Sequence, residues 1–425
     1  LVLLVLLALS LIWLGYSADP KVTAVRHTLH YKAITAMGGP TWRSDRPPGT
    51  VSGMVQDAQG EPLSGATVLV ASPLGHTYRA ETNAAGEYRI SDVPPGRYVP
   101  IAGKRDYEDA LDQTCLLGMC FKRFALVRSD RDSEGVDLTV HPLDRREIVL
   151  DDSLVVSPTV GVAVGAPFPS QALRTHLTFE RASLRVNDCW LYEPRQEDGS
   201  PSPTESLPTL LLVLPGPVMN WEIVPIPFAA QGFSVLACYP LRGIEIDEDV
   251  VDLLTALEYL RRGRIPSRAD TERLGLIGAS FSSIHAYRFL RLTDKVDVVL
   301  VLGGMSDGFA FRHDVEVGIV QTRPPFDQIL ASLGFPNSSP ELYFRYSTIH
   351  HLEGMPPFCL LHGIEDELSP FSQSVRLANE LERVGHPHRF YSYEGLKHYF
   401  STSADNATTQ QMFQDSLGCL RDYLE

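Results

Sequence analysis

From residue 209 to the C-terminus, short apolar runs alternate with amphipathic helical stretches, and this alternation limits the fold more than any other feature. "TLLLVLPG", "FSVLACYP", "RLGLIGAS", "VDVVLVLGG", "PPFCLLHG" and "HRFYSYEG" read as strands. A run such as "TLLLVLPG" is apolar without a break, the pattern of a strand buried on both faces of a parallel sheet. Between the second and third strands, Val250, Leu253, Leu254, Leu257 and Leu260 recur at helical spacing, and Gly263 closes the helix. Further helices are predicted over residues 281–292, over "PFSQSVRLANELERVG" and over residues 407–424. The expected class is α/β, a doubly wound, mostly parallel sheet with helices on both faces. In such sheets chemistry gathers beyond the carboxyl ends of the strands.

Three residues stand at those ends. Ser280 closes "RLGLIGAS", Asp366 follows "PFCLLHG" by a short turn, and His398 follows "HRFYSYEG" by a short loop. Nucleophile, carboxylate and imidazole in this chain order match the α/β-hydrolases and not the chymotrypsin-like or subtilisin-like proteases. Ser280 is expected to attack a carbonyl, His398 to take its proton, and Asp366 to hold the imidazole in the right tautomer. The flanking pattern is G-A-S-F-S, so Ser282 replaces the second glycine of the usual G-x-S-x-G turn. Serine adds only a Cβ and an Oγ there, and we read it as a tolerated variant. Each of the three residues also has an ordinary reading: a helix cap for Ser280 and Asp366, a solvated loop side chain for His398. Glu365 and Glu367 flank Asp366, and His362 in "LHG" reads as structural.

"HGIEDELSP", then a helix, then "YEGLKHYF", resembles the C-terminal part of the prolyl oligopeptidase and dienelactone hydrolase families. The resemblance spans residues 176–425, is strongest from Arg273 onward, and thins between 303 and 340. It implies an α/β-hydrolase that cleaves an ester or peptide bond through an acyl-enzyme, with Ser280, Asp366 and His398 in the family's roles; no cofactor is expected, and no metal, since His350-His351 and His386-Pro-His388 lack a third ligand. Dienelactone hydrolases carry cysteine where this chain has Ser280. One oxyanion donor is expected at the Phe281 N–H. The second belongs to the loop "LPGPVMNW", where Pro215 replaces the usual histidine and Pro217 has no N–H, which leaves Val218. Trp221 and Met219 are candidates for the acyl pocket, with ordinary packing as the alternative. Prolyl oligopeptidases usually carry a β-propeller; this chain carries only a small sandwich, which tilts the expectation from peptidase toward esterase.

That sandwich occupies residues 49–142, where short β-rich runs alternate with Gly/Pro/Asn/Asp turns. Gly53, Val55, Asp57, Gly60, Pro62, Leu63, Gly65, Ala66 and Val68, then Gly86, Tyr88, Pro95, Gly96 and Tyr98, resemble a carboxypeptidase regulatory-like domain with a transthyretin-like fold. The resemblance implies a structural or adhesive role. Residues 19–48 read as a linker with little structure, 143–175 as a connector with some β character, and 304–339 as a small cap that sets specificity. Residues 1–18 begin with "LVLLVLLALSLIWLG", too short on its own for a spanning helix and long enough for part of a signal peptide or membrane anchor. Either reading places the chain at or across a membrane. The six cysteines form no metal ladder; buried or free thiols are favoured, with a local Cys115–Cys120 bridge as the alternative. A formal charge of −15 argues against nucleic acid and against an anionic lipid surface as main partner. The competing function is a non-catalytic surface protein with an inactive hydrolase fold.

Overall fold

The structure is a computed structural model and describes residues 10, 12–40, 45–129, 131–145, 147–181, 185–196, 198–239, 245–322, 326–403 and 406–425. Most of the apolar segment expected over residues 1–18 lies outside the described residues. Among those described, no helix is long and apolar enough to cross a membrane. The chain divides into two compact units, residues 1–144 with 307–353, and residues 145–306 with 354–425.

The second unit is built on ten strands: β1 (Val155–Val156), β2 (Val160–Val164), β3 (Ser170–Arg181), β4 (Arg185–Pro194), β5 (Leu207–Val213), β6 (Ser234–Cys238), β7 (Ala269–Ala279), β8 (Val298–Leu302), β9 (Phe358–Gly363) and β10 (His388–Tyr393). Their order across the sheet is β1-β3-β4-β6-β5-β7-β8-β9-β10, with β2 also paired to β3. All pairings from β6 through β10 are parallel, and β4 joins β6 antiparallel. The expected doubly wound, mostly parallel sheet is therefore present. The connector expected over 143–175 is drawn into it, supplying β1, β2 and the start of β3. Every residue of β5 is buried. Leu210 and Leu212 pack with Met412, Phe413, Leu417 and Leu420 of the last helix, while Leu211, pointing the other way, is equally buried. Burial of both faces is why β5 reads as an unbroken apolar run. The order reverses between β5 and β7, so the crevice beyond their carboxyl ends is the topological switch point.

The first unit contains the β-sandwich. Gly49–Gln56 pairs with Glu87–Val93 and with Leu138–Thr139, while Thr67–Ala71 pairs with Thr77–Glu81 and Ile101–Gly103. Val51, Val55, Val68, Val70, Tyr88 and Ile90 form its core. The opposite side of Thr67–Ala71 is buried too, because Leu69 and Ala71 pack against Phe309, Tyr343 and Phe344 of the excursion that residues 307–353 make between β8 and β9. Residues 307–353 thus form one unit with the sandwich, which differs from the expected cap within a single 176–425 domain. The sequence did carry a signal: "TVLVA" is apolar at positions of both parities.

Residues 19–48 are not an unstructured linker, since Pro20–Ala36 is a helix. Asp19 caps it by accepting from the Lys21 and Val22 N–H groups, and Pro20 supplies a preset φ in its first turn. The thiol expectation is also overturned. All six cysteines are paired, as Cys115–Cys120, Cys189–Cys238 and Cys359–Cys419. Cys189 and Cys238 lie 49 residues apart yet directly opposite each other across β4 and β6, a proximity that only the sheet creates.

Candidate active site

β7 ends in the turn that carries Ser280. Its φ is +52°, a left-handed conformation that a non-glycine residue adopts at a cost of about 1–3 kcal/mol unless its surroundings enforce it. Three contacts enforce it here. The Ser280 N–H donates to the Leu302 carbonyl at 2.9 Å. The Ser280 carbonyl accepts from the Ser283 hydroxyl at 2.6 Å and from the Ser283 N–H at 3.1 Å. Helix Ser282–Leu292 begins immediately afterwards. Gly278 is required for its lack of a side chain, since a Cβ would stand 2.8 Å from that of Ala286. Ser282 is fully buried, and its hydroxyl lies 2.7 Å from the Val213 carbonyl at the end of β5.

Asp366 and His398 are brought together from 32 residues apart. The His398 Nδ1 is 2.8 Å from Asp366 Oδ2 and 3.0 Å from Oδ1. Gly363 permits this: a Cβ there would lie 2.2 Å from the Leu396 carbonyl, so glycine lets the loop carrying His398 close onto the end of β9. Asp366 Oδ1 also accepts the N–H groups of Leu368 and Ser369 at 2.9 and 2.8 Å. His362 is fully enclosed, and its Nε2 stands 3.3 Å from Asp366 Oδ2. Burial opposes ionisation of Asp366, but hydrogen bonds from His362 and His398, the His398 charge and the Ser369 N–H outweigh it and hold the carboxyl well below its ordinary range. An ionised carboxylate only accepts, so the His398 Nδ1 donates to it and Nε2 is the ring nitrogen turned away from Asp366. No hydrogen bond joins the Ser280 hydroxyl to His398 among the described residues.

The loop after β5 forms a short 3₁₀ turn, Val218–Asn220, entered from Pro217. The Val218 side chain is fully buried, and its N–H heads the turn. Trp221 is half-buried with its indole over Gly216, while Met219 is exposed and lies 3.3 Å from the Arg174 guanidinium. Arg174 is itself paired with Glu222 at 2.6 Å. The partial burial of Trp221 belongs to the packing of the main core. The sequence reading named Ser282 only as a tolerated variant and His362 only as structural; their contacts with Val213 and Asp366 were not foreseen, although the i,i+4 spacing of His362 to Asp366 in "HGIED" was an available signal.

Residues 245–417 match the model of the prolyl oligopeptidase family, and residues 50–114 match that of the carboxypeptidase regulatory-like domain. No curated protein sequence matches the chain at a significant level. Among solved structures, it is similar to a puromycin-hydrolysing peptidase of Mycobacterium tuberculosis, at 16% identity and a TM-score of 0.46, covering 82% of this chain and 58% of that one. It is also similar to a thermophilic esterase from Thermogutta terrifontis, at 14% identity and a TM-score of 0.44, covering 58% and 93%. An esterase from Rhizomucor miehei gives 16% identity and a TM-score of 0.48, covering 61% and 86%. The chain thus spans little more than half the length of the mycobacterial peptidase and nearly all of the Thermogutta esterase. Residues 245–417 thus carry the match to the prolyl oligopeptidase family on a mostly parallel sheet of the α/β-hydrolase kind, behind a segment that matches the carboxypeptidase regulatory-like domain.

Proposed function

We propose that the chain hydrolyses a carboxylic ester or a peptide bond through an acyl-enzyme on Ser280, with His398 as general base and Asp366 as its orienting partner. The observation that carries this reading is the His398–Asp366 pair at 2.8 Å, which presents Nε2 as the basic nitrogen. The left-handed turn at Ser280, at the switch point of the sheet, supports it. Ser280 would attack the carbonyl and pass its proton to Nε2, and that proton would then go to the leaving group. Water, deprotonated by the same nitrogen, would release the acid. The Phe281 and Val218 N–H groups are the proposed oxyanion donors, and Trp221 and Met219 the acyl-side contacts. Three disulfides fit an oxidising compartment, in keeping with an exported or membrane-anchored protein.

A fluorophosphonate probe tests the reading. Labelling of the wild type that disappears in Ser280→Ala supports it. Folded wild-type protein that takes no label identifies the inactive remnant instead. A panel of p-nitrophenyl esters and aminoacyl p-nitroanilides then separates esterase from peptidase.

A further inference from the structure

We propose that Ser282, which stands where the G-x-S-x-G pattern has glycine, is a positioning residue that ties the nucleophile turn to the oxyanion loop. The inference rests on the reading of Ser280 as nucleophile. The Ser282 hydroxyl is fully buried and lies between two strand ends. It stands 2.7 Å from the Val213 carbonyl on β5 and 2.7 Å from the Ala279 carbonyl on β7, and it accepts the Ala279 N–H at 3.1 Å. Its single proton goes to one carbonyl at a time; donating to Val213 while accepting the Ala279 N–H, the hydroxyl bridges β5 and β7 just where both strands leave the sheet.

The residues just past each strand give the bridge its consequence. Five residues beyond Val213 is Val218, and two residues beyond Ala279 is Phe281, the two proposed oxyanion donors. The β5–β7 register runs out at Val213 opposite Gly278, so beyond it the sheet no longer sets the spacing of the donors. Ser282 supplies a contact there that glycine cannot make. Ser283 adds a second clamp on the same turn: its hydroxyl donates to the Ser280 carbonyl at 2.6 Å and accepts the Met305 N–H at 2.9 Å. The Ser283 bonds reach toward the loop after β8, whereas the Ser282 bonds reach toward the oxyanion loop. The bridge therefore acts on the geometry of the transition state more than on substrate binding.

The test uses the full chain with p-nitrophenyl butyrate as substrate and a trifluoromethyl ketone as a probe of the oxyanion site. Ser282→Ala removes only the hydroxyl, and Ser282→Gly restores the common family residue. Thr255→Ala serves as a control, because Thr255 is a buried hydroxyl that back-bonds within its own helix to the Val251 carbonyl. Both Ser282 variants are expected to lose about tenfold in kcat, keep KM within about twofold, and bind the ketone about tenfold more weakly. Thr255→Ala should keep kcat whatever its melting temperature. Folded Ser282→Ala and Ser282→Gly with wild-type kcat and ketone affinity would overturn the inference while leaving the nucleophile in place. Full turnover by Ser280→Ala would instead remove the reading on which it rests.

Discussion

Acidification should release the N-terminal helix Pro20–Ala36, and His27 is the residue through which it acts. His27 is half-buried where this helix meets the excursion. Its Nδ1 is 3.1 Å from the Ser332 carbonyl and its Nε2 3.1 Å from the Ser339 hydroxyl. Gly334 lies flat against the ring, where a Cβ would be 2.9 Å from Cγ. The neutral tautomer that donates from Nδ1 and accepts at Nε2 satisfies both partners. Burial, assisted by Lys122 and Arg26 and opposed by Glu341 and the Ser332 carbonyl, lowers the pKa to about 4. An undocked histidine titrates near 6.5. Between these values the undocked state binds the proton and the docked state does not, so docking is fully stable above about pH 6.5 and weakens as pH falls toward 4. At pH 5 the difference of about 1.5 pH units corresponds to about 2 kcal/mol, or ~30-fold in the opening equilibrium. Hydrogen exchange, corrected for intrinsic rates, should show protection of the helix amides falling ~30-fold from pH 7 to pH 5. His27→Asn should remove that dependence. Equal pH dependence in the wild type and the variant would refute the argument, as would a His27 titration midpoint near 6.5 by NMR.

Asp366→Asn keeps the acceptor for the Leu368 and Ser369 N–H groups but removes the charge that fixes the His398 tautomer; kcat should fall about 10⁴-fold with the fold intact, and a loss below tenfold would contradict the proposed role. Gly363→Ala should force the Leu396 carbonyl away and part Asp366 from His398, destabilising the protein by about 1–3 kcal/mol in denaturant melts and lowering kcat more than it raises KM. Replacing Cys359 and Cys419 together by alanine opens a 60-residue covalent loop between β9 and the last helix, and should cost about 4 kcal/mol by the chain-entropy relation; an unchanged melting temperature would show that this bridge adds nothing.

The unbroken apolar runs at 209–214 and 298–302 determined the parallel sheet by themselves, because a strand covered on both faces has no polar parity to display. The meeting of Asp366 and His398 was legible for a related reason: each follows a strand end, and strand ends converge in a sheet of this topology. The helix at Pro20–Ala36 was legible too, in the Asp-Pro start that the linker reading passed over. Other features belong to the tertiary structure alone. Nothing in the spacing of six scattered cysteines selects Cys189–Cys238 or Cys359–Cys419, since each pairing depends on which elements become neighbours. The grouping of residues 307–353 with the sandwich depends on Leu69 and Ala71 meeting Phe309 and Phe344, a match between surfaces more than 200 residues apart in the chain. The Ser282 hydroxyl shows the limit most plainly. Along the chain it is a departure from a pattern, and only the carbonyl of Val213, 69 residues away, turns it into a bond. Periodicity and local order are properties of neighbours in sequence, whereas a buried polar group acquires its meaning from the partner that folding places beside it.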